Sequence, residues 1–454
     1  VELSKYQQAI VKAAKTEKHL AVCSRAGGGK SFMLELLAKS SKDSFLLLAF
    51  NKHNAEEMQA RLPSHANSRT SHSIGKMLLR HKGAPDFNKS VRIAKALGYK
   101  SKDFLNFEHF WNYYRLLNAK SAAQVQDYCE FSVEEFADDV CKIEACAIHW
   151  YEKSGCIDFT DMLWLPTRVP CRKLQHNTVA LDEMHDLSPI ALEMVRQHVL
   201  SSVKTVIVYD DMQNIFESLN ATLPDNGEYW SSLYNSKQLS LPISYRCPER
   251  VVEEAQQYVP DIEAHKTGGS VVNLRQLPDN IPKGSLVLSG HYEFLIPEFM
   301  QRRLKGDKCL LRGHNFFEEA LDTAKKVVKE GEKGKFSDFM DLATEALQGK
   351  SDATPFNLAG IARKNHYAAS IQVLRSLSEH FTTLSDAEKF AGQATKGTAD
   401  YTFSSIHRCK GSEADNVFFL SYDKYQEGAL QGDQTLLKLV YVGVTRAKEN
   451  LFLC

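Results

Sequence analysis

Neither sign of charge predominates in this sequence: 56 lysines and arginines stand against 56 aspartates and glutamates. A net charge of zero excludes whole-surface attraction to a polyanion, so any nucleic-acid site has to be built locally. No run of about 18 apolar residues occurs, which excludes a membrane-spanning helix by the usual length rule. The opening stretch VELSKYQQAIVKAAKTEKH lacks the apolar core of a secretory signal, so a soluble intracellular protein is expected. The ten cysteines are scattered, and the closest pair, Cys141 and Cys146, has neither zinc nor iron–sulfur spacing. Reduced thiols are therefore expected, with no staple of metal or disulfide. Short-period repeats and low-complexity linkers are also absent. What remains is an ordinary globular composition, 43% hydrophobic and 25% charged, over 454 residues. That length exceeds one core and implies two to four domains.

Short apolar runs of strand length recur along the chain: HLAVC (19–23), SFLLLAF (44–50), TVALDE (178–183), TVIVYDD (205–211), SLVLSG (285–290), NVFFLSYD (416–423) and NLFLC (450–454). Between them lie helical patterns, among them residues 3–16 with Ser4 as N-cap and SFMLELLAKS after a glycine loop. Alternation of this kind predicts an α/β protein with parallel sheets covered on both faces. Residues 76–155 and 325–395 break the rhythm, being rich in helix formers, charges and aromatics, and read as helical insertions. The expected organisation is a first lobe in two parts (1–75 and 156–243) around the first insertion. A second lobe follows (244–324 and 396–454) around the smaller one. The lysine-rich KKVVKEGEKGKF (325–336) reads as a solvated helix end.

The stretch CSRAGGGKSFM (23–33) follows an apolar run and opens a helix. Strand, glycine turn, then Gly29-Lys30-Ser31 is the layout of a phosphate-binding loop. Glycines let backbone N–H groups wrap the phosphates, Lys30 meets the β and γ phosphates, and the Ser31 hydroxyl holds Mg²⁺. ATP and Mg²⁺ are the expected cofactors. TVALDEMHD supplies a second half: an apolar strand ending in Asp182, suited to Mg²⁺ through water, and Glu183, suited to act as general base.

In its motifs and their order, the chain resembles the superfamily 1 DNA helicases of the UvrD/Rep/PcrA family. LDEMHDLSP is similar to the family's DExxD motif, LSKYQQAI to its glutamine motif, and LLLAFNKHNAEEM and RTSHSIGKML to two motifs that touch single-stranded DNA. IDFTDML (157–163), IVYDDMQNIF (207–216), ISYRCPERV (243–251), SSIHRCKGSEADNVFF (404–419) and LVYVGVTRAKENLFL (439–453) follow in family order. The resemblance implies two RecA-like P-loop NTPase lobes with ATP in the cleft between them. It assigns the nucleotide to Ser24, Arg25, Ala26, Gly27, Gly28, Gly29, Lys30, Ser31, Phe32 and Gly411, with Gln7 on the adenine edge, Tyr245 stacked on adenine, and Glu413 accepting from the ribose. Gln213 would sense the γ-phosphate, and Arg246 and Arg446 would stabilise it in the transition state. Phe50, Asn51, Thr70, His72, Phe216, Thr402 and His407 would contact DNA, though Phe50 ends an apolar run and is equally at home in a core.

Three positions depart from the family pattern. His185 stands where glutamine is usual, Arg25 replaces a loop glycine, and Ser218 and Leu219 replace an aromatic–arginine pair that often follows QNIF; Trp230 is a candidate substitute for that stack. The resemblance implies an ATP-dependent helicase moving 3′ to 5′ on single-stranded DNA and unwinding duplex. A translocase that remodels protein–DNA complexes without processive unwinding, or the motor half of a helicase-nuclease, are the alternatives. Expected partners are single-stranded and tailed duplex DNA and a protein that loads the motor. The protein is expected to be a monomer without a membrane role, at a nucleoid or viral replication site, serving repair, replication or recombination. Only about 80 residues separate LLRGHNFFEEAL (310–321) from SSIHRCKG, and one base–aromatic stack is worth about 1–3 kcal/mol. Short tailed duplexes should therefore be unwound in single-turnover assays while long ones are not, unless a partner or several copies load behind one another; processive unwinding by an isolated monomer over hundreds of base pairs would contradict this.

Overall fold

The computed structural model describes residues 2–129, 131–199, 203–215, 229, 232, 234–312, 315–327, 336–352 and 358–454, with backbone only at 352 and 358–366. Two compact units divide the chain, the bulk of one being Val1–Pro242 and of the other Ile243–Cys454. Phe216, Ser218, Leu219 and Trp230 lie outside the described residues.

The first unit is built on six strands: β1 (His19–Ser24), β2 (Phe45–Ala49), β3 (Ala66–Thr70), β4 (Thr178–Leu181), β5 (Lys204–Tyr209) and β6 (Lys237–Leu241). They form one parallel sheet in the order β3-β2-β4-β5-β1-β6. Because side chains alternate across a strand, each apolar run splits between two cores. Leu20, Val22, Leu47, Ala180, Val206 and Val208 pack under helix Lys30–Ser40, with its Met33, Leu34 and Leu37. Ala21, Leu46, Leu48, Val179, Leu181 and Ile207 face a larger core containing Trp111 and Trp164, whose rings meet edge-on at 5.2 Å.

Residues 76–155 contain helices and no strand among the described residues, including Lys89–Ala96, Phe104–Leu116 and Val140–Ser154. Their attachment to the lobe is ionic as well as apolar. Lys89 Nζ lies 2.6 Å from Asp161, and Arg115 Nη1 lies 2.8 Å from Asp161 and 2.7 Å from Asp158. Asp161 also accepts the Asp158 backbone N–H, and Asp158 accepts that of Asp161. The acids of IDFTDML are thus used for architecture. Lys89 and Asp161 are fully buried, and a buried cation is tolerated only when paired and hydrogen-bonded.

The second unit contains β7 (Ile243–Pro248), β8 (Glu263–Lys266), β9 (Ser270–Asn273), β10 (Leu286–Ser289), β11 (Cys309–Leu311), β12 (Tyr401–Ser405), β13 (Ala414–Phe419) and β14 (Ala447–Leu453). Six of these make a parallel sheet in the order β11-β12-β10-β13-β14-β9, and β7 pairs with β8. Helices Phe316–Val327, Phe336–Asp352, Leu358–His380 and Leu384–Gln393 fill the interval before β12. Phe299, Phe317 and Phe403 anchor the core. Seven strands, β3, β6, β7, β8, β9, β11 and β12, were not among the apolar runs, because they are short or polar: β3 reads ANSRT and β6 reads KQLSL. The run at 44–50 ends as strand at Ala49, and that at 178–183 ends at Leu181, leaving Asp182 and Glu183 on the turn.

Asp161→Asn should destabilise the first lobe by about 3–5 kcal/mol, since it leaves Lys89 and Arg115 buried with one anion fewer. Urea unfolding followed by tryptophan fluorescence checks this; a change below about 1 kcal/mol would show the network to be dispensable.

Candidate nucleotide and DNA site

The loop after β1 has the geometry its glycines allow. Gly27 and Gly29 adopt positive φ, 71° and 78°, and Gly29 caps helix Lys30–Ser40. Gly28 has no room for a side chain: a Cβ there would sit 2.5 Å from Ser24 Oγ, 2.8 Å from Arg25 O and 2.9 Å from Leu241 O. Ser24 and Ala26 are fully buried, while Phe32 is exposed. Ser31 stands exposed on the first turn of the helix. The loop is therefore a rigid backbone cradle opening on a helix N-terminus.

Lys30 Nζ lies 2.6 Å from Glu183 Oε1. Burial works against its charge, yet the carboxylates of Glu183, Asp182 and Asp210 hold its pKa above the ordinary lysine value. Asp182 is pushed up to about 7, first by burial and then by the charge of Glu183, with Lys30 pulling the other way. Glu183 is held in the left-handed region at φ 50°, and its N–H donates to Asp182 Oδ1 at 3.0 Å. Non-glycine residues rarely adopt that conformation, and where they do it is often at functional sites.

Asp210, at the end of β5, was not singled out in the sequence, and it proves central. Its carboxylate is fully buried, and burial raises its pKa. It accepts from Gln213 Nε2 at 2.5 Å and from Arg25 Nη1 at 3.3 Å, and Arg25 also lies 2.6 Å from Asp211. The arginine that replaces a loop glycine thus fastens the phosphate loop to the turn carrying Gln213. The only sequence signal was the Asp-Asp pair closing an apolar strand.

The Asp210 backbone N–H donates to His185 Nδ1 at 3.1 Å. An accepting Nδ1 carries no proton, so the ring is neutral with its hydrogen on Nε2, which faces Glu183 Oε2 at 3.1 Å. Glu183, His185 and Asp186 have ligand-type atoms within 4.8 Å of one another. The fit to a divalent cation is better at Asp182. Four carboxylates, Asp182, Glu183, Asp210 and Asp211, face two cations, Lys30 and Arg25, and a buried acid raised to about 7 suits a hard, oxygen-seeking ion such as Mg²⁺.

Gln7 is buried, and its Oε1 accepts the Ser4 N–H in a capping box that starts helix Lys5–Thr16. In the second unit, Arg246 Nε donates to Glu413 Oε2 at 2.6 Å and Nη1 to Thr445 O at 3.2 Å. Arg446 is almost wholly buried, with Nε donating to Val442 O at 2.8 Å. Burial and the charge of Arg246 pull the Arg446 pKa below its usual value, a condition that a bound anion relieves. Tyr245 packs on His265 with ring centroids 4.7 Å apart, and Gly411 turns with φ 82°.

Phe50, Asn51, Thr70 and His72 line one cavity of about 990 Å³, together with Asn112 and Phe159. Asn51 and Thr70 are also helix N-caps, accepting from Asn54 N and Ser73 N. His72 stacks on exposed Phe159 at 4.0 Å; Phe159 was not picked out as a contact, although it lies in IDFTDML. Burial brings His72 down to about 4, and burial with the charges of His291, Arg408 and Lys410 does the same to His407. Thr402 lies half-buried on β12. Phe216 falls outside the described residues.

Parallel α/β lobes with a phosphate loop and an acidic strand end define a P-loop NTPase. Residues 400–454 match the family model of the UvrD-like helicase C-terminal domain, and residues 7–218 match that of an AAA domain. Together the two matches support a UvrD-like superfamily 1 helicase, an ATP-hydrolysing enzyme with a DNA substrate. No curated protein matches it. No helix among the described residues is long and apolar enough to cross a membrane.

A histidine held at about 4 stays neutral in the fold while it charges near 6.5 in the unfolded chain. Its contribution to stability is whole above about 6.5 and falls as pH drops toward 4. His72→Phe should therefore lose less stability than the wild type between pH 7 and pH 5 in urea titrations. Parallel losses would show that His72 charges freely in the fold.

Proposed function

We propose that this protein is an ATP- and Mg²⁺-dependent DNA helicase that translocates 3′ to 5′ on single-stranded DNA and opens duplex ahead of it. The observation carrying the reading is the meeting of Lys30, Glu183, Asp182 and Asp210 at the ends of β1, β4 and β5, with Gln213 joined to Asp210. Polarity is taken from the family resemblance.

In this reading the amides of Gly27, Gly28 and Gly29 bind the phosphates, and Lys30 exchanges Glu183 for the β and γ oxygens. That exchange frees Glu183 to take the proton of the attacking water. His185 Nε2–H steadies the second carboxylate oxygen, doing with an imidazole what glutamine does in the family. Ser31 and Asp182 would hold Mg²⁺, which when bound would supply charge neutralisation. Arg246 and Arg446 act on the γ-phosphate as arginine fingers, Tyr245 and Gln7 grip the adenine, Glu413 accepts from the ribose, and Gly411 adjoins the nucleotide. Gln213 passes the state of the γ-phosphate to the DNA path. Phe50, Asn51, Thr70, His72, Thr402 and His407 hold the strand through stacking and neutral hydrogen bonds, which implies little sequence preference. Phe216 is assigned to the DNA on resemblance alone.

Lys30→Ala should abolish ATP turnover and leave single-strand affinity within about threefold. Glu183→Gln should keep nucleotide affinity and lower kcat by a factor of about 10²–10⁴, the usual worth of a general base. Arg446→Ala should slow hydrolysis far more than it weakens ADP, which has no γ-phosphate. His185→Gln should retain most activity, because its amide offers an acceptor and a donor at similar separation, whereas His185→Ala should not. The deciding measurement is strand displacement on duplexes with 3′ or 5′ tails. Opening only with a 3′ tail supports the proposal; DNA-stimulated ATPase with no displacement on either would mark a translocase.

A further inference from the structure

The cavity beside Thr70 and His72 has little free positive charge for a polyanion. Its lysine, Lys52, lies 3.6 Å from Glu56, and its remaining fixed cation, Arg69, sits at its margin with a second cavity. This second cavity, about 440 Å³, opens beside edge strand β3. Along β3, Ala66 and Ser68 are buried while Asn67 and Arg69 turn outward into it. Across from them is the segment Arg172–His176. That segment is anchored at both ends: Leu174 N donates to His198 O at 2.8 Å, and Asn177 N donates to Ser44 O at 3.1 Å.

Three cations, Arg69, Arg172 and Lys173, therefore line one concavity, and no carboxylate among the described residues lines it. Among the described residues none of the three forms an ion pair. His176 Nδ1 is buried in the same wall without a hydrogen bond, an arrangement that costs free energy unless something fills it. Burial and the charge of Arg69 lower the His176 pKa, in the direction an anion would reverse. The floor is apolar, made of Leu46, Ile74 and Met77. A cationic rim over an apolar floor suits a nucleotide unit better than a bare inorganic anion, since sugar and base need apolar surface.

We propose that this cavity takes one nucleotide of the single strand held in the neighbouring groove, its phosphate between Arg69, Arg172 and Lys173 and its sugar or base over Leu46, Ile74 and Met77. The inference rests on the single-stranded-DNA reading above and extends that path around the edge of the first lobe through Arg69, which lines both cavities. Nothing in the family motifs covers residues 172–176.

The test compares oligothymidylates of about 6 and about 20 nucleotides, the first near the low end of single-strand site sizes, by fluorescence anisotropy across a salt series. Each phosphate contact contributes about 0.7 to the single-strand salt slope. Because the two side chains share one phosphate with Arg69, Arg172→Gln/Lys173→Gln should lower the slope for the long strand by up to about 0.7, weaken it several-fold at low salt, and leave the short strand unaffected. Both residues are exposed, so folding should survive, and circular dichroism checks that it does. Arg172→Lys/Lys173→Arg should restore the slope. Equal losses at both lengths, or none at either, would overturn the proposal while leaving the helicase reading intact. A wild type that binds neither strand would remove both. Inorganic phosphate is the third arm: if it shifts the His176 imidazole resonances and the long strand does not, the cavity is a small-anion site and the proposal fails.

Discussion

Negative charge buried at the strand ends of the first lobe is the constraint around which the rest is arranged. Asp182, Glu183 and Asp210 are brought together by a parallel sheet that places β4 and β5 side by side with β1. Desolvation of this kind is costly unless cations and hydrogen bonds answer it. Lys30 answers for all three, Arg25 and Gln213 for Asp210, and the Asp182 carboxylate accepts from the turn's own backbone. Burial first, and then the charge of Glu183, raise the Asp182 pKa to about 7.

Arg25 and His185 belong to the same economy of charge. Each departs from the family pattern, and each turns out to face the β5 turn: Arg25 through the Asp210 and Asp211 carboxylates, His185 through the Asp210 N–H. The glycine loop, the turn that carries Glu183 and the turn that carries Gln213 are thereby joined around one residue.

The zero net charge follows the same logic on the nucleic-acid side. Candidate DNA contacts in the first lobe are two helix caps, an aromatic and a histidine that stays neutral to about pH 4. Contacts of this type act without a long-range field. The acids of IDFTDML take no part in that grip. Arg115 and Lys89 consume them, and in doing so tie the helical insertion to the lobe.

The apolar runs of β1, β2, β4 and β5 were legible because a parallel strand buried on both faces must be apolar throughout. The phosphate loop was legible because glycines, lysine and serine lie together in sequence. Ser4 was readable as a cap for the same reason, its partner Gln7 being three residues away. Polar edge strands such as β3 and β6 were not, since one side of an edge faces solvent and leaves no hydrophobic period. Nor was Asp210: its significance lies in Arg25, 185 residues away, and His185, 25 residues away, and one sequence carries no signal of proximity across such distances. The sequence by itself determined the local chemistry, meaning which groups can bind phosphate, metal and protons. Only the tertiary structure decided which of them share a pocket, because burial and charge pairing are properties of neighbours in space.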